Sequence, residues 1–340
     1  MRALNSAATA PRGRHIPEFP PLPSLASLRR NAISGLVVGV IAIPLSIALA
    51  VAVGVPPVAG LYTAVFAGAT ASVFGGSRYN ITGPTAALVP ILSSAVLRHG
   101  AVALPMVGLL AGIALILMSL FRFGRLIRFM PGFVIVGFTA GIALSIAFGQ
   151  LNALLAVSGT DPSLEHFHER LWDTLRHLNT IHPATPLVAG GSLATLLVSS
   201  RLFPRVPPPL VAVVLVTAVT WAFAVDTPTI ASRYGELPRD IPTPSFAFFD
   251  LSLIPSLLPV AFAVAVLGAV ESLLSAVVAD GMAPTSERHD PDRELRGQGL
   301  ANLVSPVMGG IPATAAIART AAGIRSGGDS RLTGVFHAVT

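Results

Sequence analysis

Long apolar runs recur along this chain and restrict its fold more than any other feature. From Asn31 nearly to the end, stretches of about 20 apolar residues follow one another, and a helix of that length crosses a bilayer core of about 30 Å. Of the 340 residues, 53% are hydrophobic and only 11% are charged, which is outside the range of soluble domains. The sequence therefore predicts an all-α integral membrane protein.

Two of the predicted spans are shorter than the others. The third and the tenth start near Gly83 and Pro312, cannot cross a bilayer alone, and each follows a break marked by Gly or Pro. We predict that both are half-helices. The spans run from 32 to 52, 57 to 75, 84 to 98, 101 to 121, 130 to 152, 185 to 200, 207 to 226, 255 to 280, 297 to 309 and 312 to 327.

Arginines between the spans predict the orientation of the chain. Clusters precede span one and follow spans four, six and eight, and positively charged loops stay in the cytoplasm. We therefore predict a multi-pass protein of the inner cell membrane whose N-terminal tail, 1–31, is cytoplasmic. Because these loops account for the net charge of +6, nucleic-acid binding is not predicted. The clustered arginines are Arg29, Arg30, Arg122, Arg125, Arg128, Arg201, Arg205, Arg288, Arg293 and Arg296.

Several classes of chemistry lack their usual residues. The chain has no cysteine, so thiolate metal sites and cysteine nucleophiles are excluded for it. The histidines at 166, 168, 177 and 182 do not have the spacing of a known metal site, and we predict no metal and no cofactor. A phosphate-binding loop and a nucleophile elbow are also missing, which argues against ATP-driven transport and against an enzyme.

The two breaks in the helices suggest an anion site. Inside a bilayer, unpaired backbone groups survive only where protein or a watery cavity surrounds them. The free N–H groups and positive dipole end of a half-helix favour an anion. The candidate contacts are Thr85, Ala86 and Ala87 after the first break, and Ala316, Ile317, Ala318 and Arg319 after the second.

Four polar residues inside the predicted spans are further candidates. Arg319 could hold a positive field over the site, or it could lie at the cytosolic end of a short helix. Glu271 could bind and release a proton, with Ser275 one turn later on the same face, or it could be a structural carboxylate. Ser46, beside Pro44, could line the cavity or bond back to its own helix.

At these residues the chain resembles the sulfate permease (SulP) family of anion transporters. The pieces that carry the resemblance cover nearly the whole membrane portion in family order. They are Pro44 to Ala48, Gly54 to Pro57, Gly60 to Tyr62, Gly75 to Arg78, Gly83 to Ala87, Glu271 to Ser275, Asp292 to Leu295, Gly297 to Gly299, Gly309 to Thr314, and Arg319 with Thr320.

The resemblance implies fourteen segments in two inverted repeats of seven, divided into core and gate domains, and usually a homodimer. By this reading 32–228 is the first repeat and 229–340 is the start of the second, through segment ten, without segments eleven to fourteen or the C-terminal STAS domain. The substrate would lie between the half-helix ends, flanked by the first and eighth segments. Glu271 and Ser275 match the positions where sodium-coupled relatives hold the cation.

We therefore expect a secondary active transporter of a small anion, with sulfate, bicarbonate and a dicarboxylate such as fumarate as candidates. Proton and sodium coupling both remain open, because Glu271 stands where the relatives have a shorter Asp. A channel-like uniporter or exchanger, and a nucleobase transporter on the related fold, are the alternatives. The nucleobase reading predicts acidic residues on both the eighth and tenth segments, whereas the tenth offers Arg319.

Overall fold

The computed structural model describes residues 24–127, 132–161, 164, 167–203, 206, 208–238, 240–283, 285 and 287–340. Most of the predicted tail lies outside these ranges, and so do the clustered arginines at 128 and 205 and the histidine at 166. The described part is mostly helical, as predicted for an all-α membrane protein. Its two strands, each of two residues, pair with one another.

The helices follow the predicted spans in order. They are α1 (Leu25–Val53), α2 (Pro57–Tyr62), α3 (Gly68–Phe74), α4 (Val89–His99), α5 (Leu104–Leu120), α6 (Gly124–Ile127), α7 (Gly132–Gly149), α8 (Leu151–Leu155), α9 (Phe167–Arg176), α10 (Ala184–Leu202), α11 (Pro208–Ala222), α12 (Ile230–Tyr234), α13 (Ile254–Met282), α14 (Pro291–Val307), α15 (Ile317–Arg325) and α16 (Leu332–Val339). The strands are β1 (Thr82–Gly83) and β2 (Thr314–Ala315). A π-helical turn, Thr63–Ala67, joins α2 to α3, and a 3₁₀ turn, Ala86–Leu88, leads into α4.

Within the described ranges, four helical stretches are long and apolar enough to cross a membrane. They are Leu25–Val53, Pro57–Phe74, Ala101–Leu120 and Leu251–Met282. These stretches match predicted spans one, two, four and eight. The finding supports a multi-pass membrane protein.

Helix ends differ from the predicted spans where a polar cap extends the helix beyond its apolar stretch. Residue 32 was the predicted start of the first span, but α1 begins at Leu25, after Ser24, whose side chain accepts a hydrogen bond from the Ser27 N–H. Likewise α14 begins at Pro291 and not near 297, because Asp290 caps it. The helix α16 is absent from the predicted spans. The length of an apolar stretch does not predict where a capping residue starts the helix, because caps are polar residues that accept hydrogen bonds from the first N–H groups.

The core separates into an apolar part and a polar part. Side chains of α4, α5 and α13 form the apolar part, with Leu92, Val107 and Leu257 fully or almost fully buried. The helix α14 packs closely on α5 and α3 and contributes most of the polar part. Its residues Glu294, Gln298 and Asn302 are each 1% exposed, and their spacing of four places them on one helix face. This polar face points to the two strands.

Candidate functional site

The two breaks in the helices meet as a short antiparallel ribbon. Thr82 of β1 pairs with Ala315 of β2, and Gly83 pairs with Thr314. The 3₁₀ turn at Ala86 begins just after β1, and α15 begins just after β2. The prediction of two half-helices that meet is therefore confirmed, and both start from the same ribbon.

The prediction that Pro84 and Pro312 open the half-helices is wrong. Both prolines precede the helices, which are capped by Thr85 and Ala316 in extended conformations, with φ −128° and −103° respectively. Pairing of β1 with β2 keeps the chain extended up to these residues. Arg319 consequently lies in the first turn of α15, and not two turns along a helix that starts at Pro312.

The first turns of both half-helices are open. Neither Thr85 nor Ala316 makes a side-chain cap hydrogen bond, and the first N–H groups of a helix have no partner within it. Ala87 is 7% exposed, Ala86, Ala316 and Ile317 are partly buried, and Ala318 is exposed. Except for Ile317, the side chains at these positions are single methyl groups, which cover little of the backbone around them.

Arg319 joins the second break to the first. Its guanidinium is buried, with 2% of the residue exposed, and Nη2 donates a hydrogen bond to the carbonyl oxygen of Pro84. Nε and Nη1 find no hydrogen-bond partner among the described residues. A Cβ on Gly83 would collide with Nη1, so a larger residue at this position would displace the guanidinium from where it lies. Arg319 therefore does not lie at the end of α15, where Arg325 occupies the last turn.

Glu271 of α13 contacts the cap of the first half-helix. The Thr85 hydroxyl donates a hydrogen bond of 3.0 Å to Oε2 of Glu271. The carboxylate is partly buried and close enough to Arg319 for an electrostatic interaction. One residue further along α13, the Ser272 hydroxyl lies 2.7 Å from Thr314 Oγ1. Thus α13 holds both breaks.

Ser275 and Ser46 are placed differently. Ser275 is fully buried, and its Oγ lies 2.9 Å from Asn80 Oδ1 and 3.1 Å from Thr320 Oγ1. The hydroxyl of Ser46, also fully buried, has no hydrogen-bond partner in the part of the chain that the structure describes. Ser275 is thus tied to both breaks through its neighbours. The roles of both serines in binding stay predictions.

A polar network that the sequence did not reveal lies behind the ribbon. Asn80 lies between α13 and α14, Gln298 donates a hydrogen bond of 2.8 Å to Thr82 Oγ1, and Thr320 Oγ1 accepts one of 3.0 Å from the Ile81 N–H. The available signal was the spacing of four between Glu294, Gln298 and Asn302, which places them on one face of a helix. Polar residues on one face of a membrane helix indicate a buried polar partner.

The family model of the sulfate permease family matches residues 28–340. The chain belongs to this family. It is 44% identical over 317 residues to "Putative sulfate transporter YvdB" of Bacillus subtilis, covering 93% of this chain and 59% of that protein. It is 33% identical over 328 residues to "Bicarbonate transporter BicA" of a Picosynechococcus species, covering 92% and 56% respectively. The chain therefore spans less than two thirds of the length of these relatives, which are named as transporters and not as enzymes.

Solved structures share the fold. The transmembrane domain of a cyanobacterial bicarbonate transporter BicA superposes with a TM-score of 0.83 at 28% identity, covering 93% of this family member and 81% of that chain. The structure of SLC26A9 gives a TM-score of 0.79 at 19% identity and covers 92% and 53%. The second likeness concerns the fold alone. Together they confirm a membrane transporter fold.

Proposed function

We propose that this chain forms the anion-binding core of a secondary active transporter that carries a small oxyanion or dicarboxylate together with a proton or sodium ion. The observation that carries the proposal is the buried Arg319 guanidinium beside the starts of two half-helices, whose Nε and Nη1 have no partner among the residues that the structure describes. A buried cation with free donors is costly unless something binds there. An anion would satisfy the charge and both donors.

The donor geometry favours an anion with several oxygens. A guanidinium offers a planar fork of N–H groups that matches carboxylate and tetrahedral oxyanions, and helix N-termini add further N–H groups. Sulfate is a tetrahedral oxyanion, while bicarbonate and each end of a dicarboxylate such as fumarate present planar carboxylate-like oxygens, so all three can accept from such donors. The relatives named for sulfate and bicarbonate support the first two.

Glu271 supplies a route from the coupling ion to the anion. Its negative charge interacts with Arg319 and so reduces the positive potential available to the substrate. A proton or sodium ion on Glu271 would neutralise that charge. The positive potential of Arg319 at the anion site would then rise. By linkage, the anion would strengthen binding of the cation equally. The two ligands would then bind together, which is the requirement for symport.

The surroundings of the transporter are part of the same proposal. The N-terminus would be cytoplasmic in the inner membrane, and the full-length protein would form a homodimer. A nucleobase substrate is disfavoured, because the tenth segment presents a buried guanidinium and not an acid at the break.

Uptake by liposomes that contain the full-length protein tests the proposal. Labelled sulfate, bicarbonate and fumarate are offered with an inward proton gradient, an inward sodium gradient or neither. Accumulation under one gradient is expected, and it would identify substrate and ion together. Uptake without dependence on either gradient would point to a uniporter or exchanger, and absence of uptake under all conditions would refute transport of these anions.

The variant Glu271→Gln tests the coupling step separately. Because a neutral side chain cannot respond to the cation, anion uptake should persist but lose its dependence on the gradient. Glu287→Gln is the matched control, since Glu287 is an exposed acid that pairs with Arg78 away from the breaks. Gradient-driven accumulation that survives in Glu271→Gln would remove Glu271 from coupling.

A further inference from the structure

Glu294 is a buried carboxylate held by hydrogen bonds. It is 1% exposed, and within the described residues no cation lies within ion-pair distance of it. Four N–H donors satisfy it: Gly76 and Ser77 donate to Oε2, each at 2.8 Å, while Asn80 Nδ2 and Gln298 Nε2 donate to Oε1 at 2.7 Å and 3.0 Å. Each of the two carboxylate oxygens therefore accepts two hydrogen bonds, and the side chain donates none.

Close backbone contact makes this arrangement possible. A Cβ on Gly76 would collide with the carbonyl oxygen of Asp290, at the start of α14. Glycine therefore lets the loop after α3 lie directly on the first turn of α14. The backbone N–H groups of that loop reach Glu294 as a result.

Asn80 links Glu294 to Ser275 of the candidate site by hydrogen bonds. Its Nδ2 donates to Glu294 Oε1 and, at 3.0 Å, to the Ser272 carbonyl oxygen. With both N–H groups used on one side, the amide must present Oδ1 on the other side. There Oδ1 lies 2.9 Å from Ser275 Oγ and accepts its hydrogen.

Through Asn80, the Glu294 carboxylate thus helps to set the direction of the hydrogen bond between Asn80 and Ser275. Glu294 and the Ser272 carbonyl oxygen can only accept, so Asn80 must donate to both, and Ser275 must then donate to Asn80. The lone pairs of Ser275 Oγ stay free to face Thr320 or a cation. We propose that Glu294 is a positioning residue, which acts through Asn80 to keep the Ser275 oxygen available to the coupling ion. This inference rests on the proposed function for what the oxygen does, but not for how it is held.

Glu294→Gln should reverse the hydrogen bonds of the network. One amide oxygen can still accept from Gly76 and Ser77, but the new NH₂ group would face the donor of Asn80. Turning the Asn80 amide over removes this contact between two donors and presents Nδ2 to Ser275, although it breaks the hydrogen bond to the Ser272 carbonyl oxygen. Asn80→Asp in the same background should undo this, because an Asp side chain accepts from both the Gln amide and the Ser275 hydroxyl.

The alkylation rate of a single thiol at position 275 reports whether that side chain donates to Asn80 or accepts from it, and the measurement does not depend on transport. The chain contains no cysteine, so Ser275→Cys in the full-length protein, with any cysteine beyond this chain replaced, gives one thiol. A thiol that accepts from an amide N–H reacts faster than one that donates to an amide oxygen, since the thiolate is the nucleophile. Glu294→Gln should raise the alkylation rate about tenfold, the change expected from one reversed buried hydrogen bond.

Three controls separate positioning from general stability. Ala265→Cys, at a fully buried position elsewhere on α13, should be alkylated at the same rate with and without Glu294→Gln. Glu287→Gln removes an exposed acid and should leave both thiols unchanged. Adding Asn80→Asp to Glu294→Gln should return the thiol at position 275 to its slow rate.

The outcomes are distinct. Equal alkylation at position 275 in both backgrounds, or equal acceleration at 265 and 275, or failure of Asn80→Asp to restore the slow rate, would overturn the positioning role. If the wild-type protein transports no anion, the proposed function fails while the alkylation result still decides the role of Glu294. If it does transport, Glu294→Gln should raise the half-saturating concentration of the coupling ion more than it lowers the maximal rate.

Discussion

The two breaks pair strand to strand, yet they contribute different chemistry. The first, Thr82–Leu88, holds no charged residue, and the hydroxyl of its cap, Thr85, is bonded to Glu271. The second, Thr314–Arg319, ends in a guanidinium that reaches back to the carbonyl oxygen of Pro84. Similar residues before each helix therefore do not make equivalent halves of a site.

This difference assigns separate tasks to the two breaks. The second break supplies the fixed positive charge, whereas the first supplies room for it at Gly83 and a hydroxyl link to Glu271. An anion would be held mainly by the second break, and a coupling cation would act mainly through the first. Variants of Arg319 and of Thr85 should consequently affect different ligands.

The largest expected effect comes from Arg319→Ala. Two charge-assisted hydrogen bonds would be lost, each contributing about 1.5–3 kcal/mol, so the affinity for sulfate should fall about a hundredfold or more. Isothermal titration of sulfate into the purified protein measures the change. Arg325→Ala, in the last and exposed turn of the same helix, is the matched control and should bind normally. Equal affinity in the two variants would contradict the anion role of the second break.

A smaller effect on the same ligand is expected from Gly83→Ala, on the opposite break. The added methyl group would displace the Arg319 guanidinium, and overpacking of this kind costs about 1–3 kcal/mol. Sulfate should bind about tenfold more weakly, as measured by the same titration. Gly190→Ala, where a Cβ meets nothing within 4 Å, provides the control. Unchanged affinity in Gly83→Ala would show that the guanidinium position does not matter.

The smallest effect is expected from Thr85→Val. One hydrogen bond to Glu271 would be lost, about 0.5–1.5 kcal/mol, so the half-saturating concentration of the coupling ion should shift about three- to tenfold. Anion affinity should change less, which is the contrast with Arg319→Ala. Uptake at varied ion concentrations measures the shift, and Thr195→Val, which removes an exposed hydroxyl bonded within its own helix, is the control. A larger loss of anion affinity than of ion affinity would reverse the assignment of tasks.

Some predictions from sequence hold because they depend on local properties. Apolar length located the four long spans, and the cost of charge inside a membrane singled out Glu271 and Arg319 as the residues to examine. The error over Pro84 and Pro312 arose because proline suits a first helical turn, a local preference that strand pairing overrides. Pairing of β1 with β2 is not a local property, so neither segment reveals it alone.

Contacts between distant residues account for what sequence analysis missed. Gly76 and Glu294 are 218 positions apart, and Asn80 and Ser275 are 195 apart, yet each pair is hydrogen-bonded. A polar residue that is buried needs a hydrogen-bond partner, but its position in the sequence does not show which residue that partner is. Glu294 lies before the predicted ninth span and among other charged residues, so neither its burial nor its four donors could be predicted from the sequence.

The sequence by itself determined that this protein crosses a membrane many times, that two of its helices are broken, and that an acid and an arginine lie within its spans. These properties follow from hydropathy, proline and glycine, and the cost of buried charge, all of which act within one segment. The tertiary structure alone decided that Arg319 faces Gly83, that Thr85 bonds to Glu271, and that one carboxylate holds the network behind them. Those partners meet only when helices far apart in the chain pack together, because hydrogen bonds reach only about 3 Å.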